Sequence, residues 1–130
     1  MILSFRIISI TASGICFVLA CLWMLVPQFI LWVWQIDSPE PALVVARRGA
    51  ALFLGIGVLL FLARNAETSP ARRAIATGLA ISCSTLAALG IFEFATKNAG
   101  IGIWLAITVE LALAIAFLSV RHADGVRQKS

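Results

Sequence analysis

Four long apolar stretches fill almost all of this 130-residue chain, with only short charged or Pro/Gly-marked segments between them. Each stretch approaches the roughly 20 helical residues needed to cross a bilayer. Hydrophobic residues make up 62% of the chain and charged residues 12%, against about half and about a quarter in soluble domains. Because open strands cannot satisfy their backbone in lipid, the composition predicts an all-α integral membrane four-transmembrane-helix bundle that forms a single domain.

The breaks between the stretches set the expected bounds. We expect spans over residues 3–26, 42–63, 71–94 and 100–120, followed by a polar tail at 121–130. Pro27 ends or kinks the first span because it lacks a backbone donor, and the segment 29–34 could prolong that span or lie in the interface. The apolar run continues past a loose lipoprotein-like box at 18–21, so we expect the first span to be retained rather than cleaved as a signal.

Basic residues are distributed unevenly between the two faces of the membrane. With four spans, both termini and the second interhelical loop share one face, which carries seven of the ten Lys and Arg residues: Arg6, Arg64, Arg72, Arg73, Arg121, Arg127 and Lys129. The positive-inside rule then predicts a multi-pass membrane protein with both termini cytoplasmic. Trp32, Trp34 and Trp104 fall near the opposite interface, where indole rings prefer to lie.

Several chemistries lack the residues they need. His122 is the only histidine, so one chain cannot hold a haem by two imidazoles, and a His-based zinc site is disfavoured. The chain has no Gly-rich phosphate loop, no Gly-x-Ser-x-Gly elbow and no Cys-x-x-Cys pair. The residues therefore support no enzymatic activity and identify no cofactor or metal. Without a basic stripe interleaved with exposed aromatic residues, we expect no nucleic-acid partner.

Charged residues inside the apolar stretches are the sharpest signal. They are Arg47, Arg48, Glu93 and Glu110, and an ionisable group near mid-bilayer costs about 2.5–3.5 kcal/mol on insertion scales. At about 1.5 Å per residue, Arg47 lies ~9 Å below Pro41 and Glu110 ~15 Å below Gly100. We therefore expect these four side chains to form a binding or ion-pair cluster in the outer half of the membrane.

Small residues near the same helix faces predict close helix packing. The candidate packing residues are Gly55, Gly57, Gly78, Gly102 and Ala106. Gly102, Ala106 and Glu110 recur every four residues, which would turn Glu110 toward protein. Three interpretations of the charges stay open: an ion pair or interfacial snorkelling with no ligand, a binding or conduction site on Glu110, and a contact between subunits.

A glycine-rich arginine segment carries a family resemblance. Residues 46–57, followed by 61–64 and a short Pro/Arg loop, resemble the second helix and loop of small bacterial four-helix membrane proteins, the largely uncharacterised DoxX-like group. The resemblance implies an inner-membrane four-helix protein and no specific activity. Small multidrug transporters have a similar length, but their essential glutamate lies in the first helix, which has none here.

Two function classes follow. The first is a non-enzymatic accessory or scaffold subunit, self-associated as a homo-oligomer or attached to a larger membrane complex. Short loops and small-residue helix faces favour it. The second is a small carrier or binder of a proton, cation or lipophilic molecule, which Glu110 favours.

Overall fold

A computed structural model describes residues 4–127 of the chain. Within that range the chain forms five α-helices and no strand: α1 (Phe5–Leu25), α2 (Pro27–Val33), α3 (Glu40–Ala63), α4 (Pro70–Ala95) and α5 (Ile103–Arg127). All but the short α2 are long and apolar enough to cross a membrane. The predicted all-α bundle of four transmembrane helices is therefore confirmed.

The helix bounds differ from the expected ones in three places. Residues 29–33 belong to the separate helix α2 and Trp34 caps its end; Pro27 opens this helix at the first position, where a missing N–H costs nothing. Helix α5 begins at Ile103, because residues 100–102 form a turn, and it continues to Arg127 rather than stopping at 120. Residue 3, predicted to start the first span, and the tail residues 128–130 lie outside the described residues.

The four spanning helices form two antiparallel pairs. Helix α1 packs along α3, and α4 packs along α5. Contact between the pairs runs mainly between α1 and α5. The start of α1, the α3–α4 loop and the end of α5 meet at one end of the bundle, here named the basic end. The opposite end, here named the α2 end, holds α2 and the α4–α5 turn.

A hydrophobic cluster at the basic end joins all four spanning helices. Its buried members are Phe5, Ile8, Ala12, Leu60, Ala76, Ala80, Phe117 and Val120. Alanines on α4 face bulky residues on the other helices, so large and small side chains interdigitate and the backbones approach closely. The two helix pairs are therefore fixed to each other at this end.

Two loops are fastened together at the α2 end. The N–H of Gly100 donates to the Trp34 carbonyl at 2.6 Å. Gly102 lies directly against the Val33 carbonyl, where a Cβ atom would collide with the backbone oxygen. Ala87, Ala99, Ile103 and Ile107 form a second buried cluster there, against Trp34 and Ile36. The chain after α2 thus holds the α4–α5 turn in place.

Three hydroxyl groups on the outer surface of the bundle are satisfied within their own helices. The hydroxyls of Thr85, Thr108 and Ser119 each donate to the carbonyl four residues earlier, at 2.8–2.9 Å. Large apolar side chains such as Leu52 and Leu62 dominate the rest of this surface. Such an apolar surface suits lipid, and these three hydroxyl groups do not need water as a partner.

Candidate functional site

Arg47 and Arg48 lie in the first third of α3, close to the α2 end. Both are exposed, whereas Leu43 and Ala50 on either side of them are buried. Neither guanidinium group has a hydrogen-bond or ion-pair partner among residues 4–127. Two positive charges on a membrane-spanning helix are therefore left without compensation by the described residues of one copy.

Glu93 lies in the last turn of α4, at the α2 end. One of its carboxylate oxygens accepts a hydrogen bond from the Asn98 side-chain amide at 2.8 Å. Its backbone carbonyl accepts from the N–H of Asn98 at 2.9 Å. Lys97 between them has a positive φ of 63°, so α4 closes in a Schellman motif. Glu93 thus has a local role in ending the helix.

Glu110 lies in one region with two cysteines from other helices. It is half-buried, and the thiol of Cys83 on α4 is close enough for electrostatic interaction with Glu110 and with Cys16 on α1. Each of the three lies between two buried residues of its own helix. These buried residues are Ser13 and Ala20 around Cys16, Ala80 and Ala87 around Cys83, and Ile107 and Ala114 around Glu110. Three helices therefore contribute one polarisable or charged group each to the same region.

The four predicted cluster residues do not form a cluster within one copy. In the described residues, no ion pair joins Glu93 or Glu110 to Arg47 or Arg48. Counted from Ile103, the first residue of α5, Glu110 lies seven residues down its helix, about 10 Å. Arg47 lies seven residues, about 10 Å, down α3 from Glu40. The two charges lie equally far along their own helices, and no ion pair joins them.

A buried ion pair instead forms at the basic end. Nη2 of Arg72 donates to Oδ1 of Asp124 at 2.8 Å, and their side chains are only 14% and 2% exposed. The other Nη atom of Arg72 donates to the Ala66 carbonyl at 2.9 Å, and the guanidinium lies 4.6 Å from the centre of the Phe5 ring. This single side chain links α1, the α3–α4 loop, α4 and α5.

This pair was not predicted from the sequence, because Asp124 falls in the segment assigned to a polar tail. A signal was present in the sequence. Phe117, Val120 and Asp124 are spaced by three and four residues, so Asp124 continues the buried stripe of α5. The ion pair also accounts for the extra turns of α5, since a buried carboxylate with a fixed partner holds the helix against the bundle.

The candidate packing glycines divide into two groups. Gly57 is buried, its carbonyl accepts from the Ser13 hydroxyl at 2.8 Å, and a Cβ there would come within 3.0 Å of the Phe17 ring. Gly102 packs at the α2 end, as described above, and Ala106 is half-buried. Gly55 and Gly78 are exposed, and a Cβ atom added at either would meet nothing within 4 Å. Gly90, which was not among the candidates, lies against Ile107, which would be 2.7 Å from a Cβ.

Comparison with known proteins adds no assignment to this geometry. No protein-family model, no curated protein and no solved structure matches the chain. Across residues 4–127, no three His, Cys, Asp or Glu side chains form a group that could hold a metal ion. Function is therefore inferred from the charged residues and from where they lie in the membrane.

Proposed function

We propose that the protein is a non-enzymatic scaffold or accessory subunit of a bacterial inner membrane, and that it assembles with a second copy of itself through Arg47 and Glu110. The observation that carries this proposal is the pair of exposed arginines on α3 with no acidic partner in the described part of the chain. A charge held at that depth needs a partner or a route to the headgroups.

The proposed partner of Arg47 is a second copy of the chain, because that copy offers the acidic residue Glu110 at a matching distance along its helix. Copies inserted in the same orientation bring Arg47 of one to the level of Glu110 of the other, about 10 Å below the helix ends in both. In a twofold dimer each copy supplies both residues, so the contact is made twice. The exposed apolar side chains around Arg47, among them Val44 and Val45, suit a helix–helix contact.

Orientation is part of the same proposal. The basic end carries Arg6, Arg64, Arg72, Arg73, Arg121 and Arg127 in the described residues, and the α2 end carries the tryptophans Trp32, Trp34 and Trp104. By the positive-inside rule the basic end faces the cytoplasm. An inner-membrane location also agrees with the resemblance of the α3 segment to DoxX-like proteins.

Co-expression of two charge-reversed copies tests the assembly. Arg47→Glu in one copy opposes like charges in its own homodimer, and so does Glu110→Arg in the other. Together the two restore both attractive contacts, so we expect heterodimers and few homodimers. Differently tagged copies, co-purified and weighed by native mass spectrometry from lipid nanodiscs, give the readout. Arg48→Glu is tested in parallel, since Arg48 lies one residue further along the same exposed segment.

Glu93→Arg is the matched control for the second copy, because Glu93 is an acidic residue already held by Asn98 at the helix end. It should not rescue Arg47→Glu. If neither arginine variant pairs selectively with Glu110→Arg, the arginines reach the outer headgroups instead, and the dimer proposal fails.

A second candidate function rests on the region shared by Glu110, Cys83 and Cys16. A half-buried carboxylate inside an apolar span, in the same region as thiols from two other helices, suits a small binder or carrier of a proton or cation. Glu110→Gln would then keep the fold and the oligomer but abolish pH-dependent binding or transport by the reconstituted protein. A variant that keeps full pH dependence would exclude Glu110 from such a role, and loss of the oligomer alone would favour the scaffold.

A further inference from the structure

A cleft of about 460 Å³ opens at the basic end, outside the region used by the proposed dimer contact. It lies between the start of α1, the α3–α4 loop, the start of α4 and the end of α5. Its charged lining consists of Arg6, Arg64, Arg72, Arg127 and Asp124. The cleft is therefore built from all four spanning segments at the level where they leave the bilayer.

The charges in the cleft do not cancel. The guanidinium groups of Arg6, Arg64 and Arg72 face one carboxylate, and that carboxylate already accepts from Arg72. This surplus of positive charge in a concave, partly apolar site raises the local potential and attracts anions. Guanidinium groups bind phosphate oxygens with paired hydrogen bonds, so phosphate is the anion that such a lining fits best.

Two of the arginines are held in place by their own neighbours. Arg72 is fixed by Asp124, Ala66 and Phe5, and its Nε atom is buried with no hydrogen-bond partner in residues 4–127. Arg64 donates to the Phe61 carbonyl and lies 4.0 Å from the centre of the Phe61 ring. Arginines positioned in advance lose less side-chain freedom when an anion binds.

The surroundings of the cleft indicate where the phosphate comes from. Large apolar side chains next to the lining residues are exposed, namely Ile7 beside Arg6, Leu62 near Arg64, and Val126 beside Arg127. A free anion would gain nothing from them, whereas acyl chains would cover them. Basic pockets between membrane helices are suited to anionic lipid headgroups. We propose that this cleft binds the phosphate headgroup of an anionic membrane lipid and thereby ties α1, the α3–α4 loop and α5 together.

Native mass spectrometry of the full chain in neutral detergent tests the site. The probes are phosphatidylglycerol, phosphatidylcholine with the same acyl chains, and inorganic phosphate. We expect phosphatidylglycerol to bind at least about tenfold more tightly than phosphatidylcholine, since charge-assisted contacts are the strong ones. Arg64→Gln should weaken phosphatidylglycerol binding about tenfold, as expected for loss of one such hydrogen bond.

Arg121→Gln is the matched control, because Arg121 is an exposed arginine of the same end of α5 that does not line the cleft. It should change phosphatidylglycerol binding by less than about twofold. Circular dichroism establishes that each variant is folded. Should Arg64→Gln fail to fold, Arg6→Gln replaces it, since the Arg6 guanidinium makes no hydrogen bond or ion pair within residues 4–127.

Three results would overturn the proposal. Equal binding of the two lipids would show that the charges do not matter. Equal loss in Arg64→Gln and Arg121→Gln would reveal a general surface attraction rather than a site. Displacement of phosphatidylglycerol by inorganic phosphate at equal concentration would make the ligand a free anion instead of a lipid. None of these outcomes bears on the dimer contact, which lies toward the α2 end.

Discussion

The ion pair between Arg72 and Asp124 offers the sharpest stability test. Asp124→Asn removes the carboxylate charge and leaves the Arg72 guanidinium without its counter-ion. Arg72 keeps its hydrogen bond to Ala66, its contact with the Phe5 ring and 14% exposure. Breaking a buried pair by removing one partner costs about 3–5 kcal/mol. Because Arg72 retains other contacts, we expect a loss near the lower end, about 3 kcal/mol.

The reverse substitution, Arg72→Met, should cost more. It leaves the Asp124 carboxylate only 2% exposed, with Oδ2 already lacking a hydrogen-bond partner in the described residues and Oδ1 losing its own. The hydrogen bond to Ala66 and the contact with Phe5 are lost as well. We expect a cost of about 4–5 kcal/mol, so Arg72→Met should be the more damaging of the two single variants.

A double-mutant cycle then isolates the pair. With Asp124→Leu as the second single variant of the cycle, Arg72→Met combined with Asp124→Leu removes both charges and fills the space with apolar groups, so it should recover about 2–3 kcal/mol relative to the sum of these two single changes. The free energy of unfolding is measured by helicity loss during SDS titration of the purified protein in neutral detergent. Arg121→Met, an exposed neighbour on α5, should stay within about 0.5 kcal/mol of the parent. Simple additivity in the cycle would show that the two side chains do not act as a pair.

Two further outcomes follow from the fold. Gly102→Ala should destabilise the protein by about 1–3 kcal/mol, because a methyl group there meets the Val33 carbonyl. Gly55→Ala, in open space on α3, should be neutral or stabilising in the same SDS titration. Equal effects of the two substitutions would contradict the contact between Gly102 and Val33 at the α2 end. Reporter fusions after Ser130 should give a cytoplasmic signal and fusions at Asp37 an exported one, and reversed signals would overturn the proposed orientation.

The helices were predictable because their signal is long and redundant. Twenty or more apolar residues leave one structural solution in lipid, so the spans follow from composition and proline position alone. Helix ends depend on single contacts, which composition does not report. Residues 100–102 are apolar enough to belong to a span, yet the hydrogen bond from Gly100 to Trp34 holds them in a loop. The predicted start of the last span was therefore wrong by about one turn.

The partner of each buried charge was harder to predict. Depth along a helix follows from counting residues, but an ion pair also needs the right rotation and the right neighbouring helix. Helix α3 contacts α1 extensively, while α5 pairs with α4, so Arg47 and Glu110 belong to different helix pairs. Asp124 is a different case. Its spacing from Phe117 and Val120 on α5 indicates burial, but the polar residues around it predict a tail beyond the span.

Charged side chains at the two ends of the bundle are compensated in different ways, and substitutions at the two ends should act independently. Arg72 meets its counter-ion inside one copy, whereas Arg47 meets none within residues 4–127. Arg47 in the proposed dimer contact and Arg64 in the cleft are 17 residues apart, about 25 Å along α3. That distance exceeds the range of about 7–10 Å over which mutational effects usually couple. Arg47→Glu combined with Arg64→Gln should therefore lose dimerisation and lipid binding by the same factors as the single variants. A combined effect larger than their product would require the lipid at the basic end to control assembly at the other.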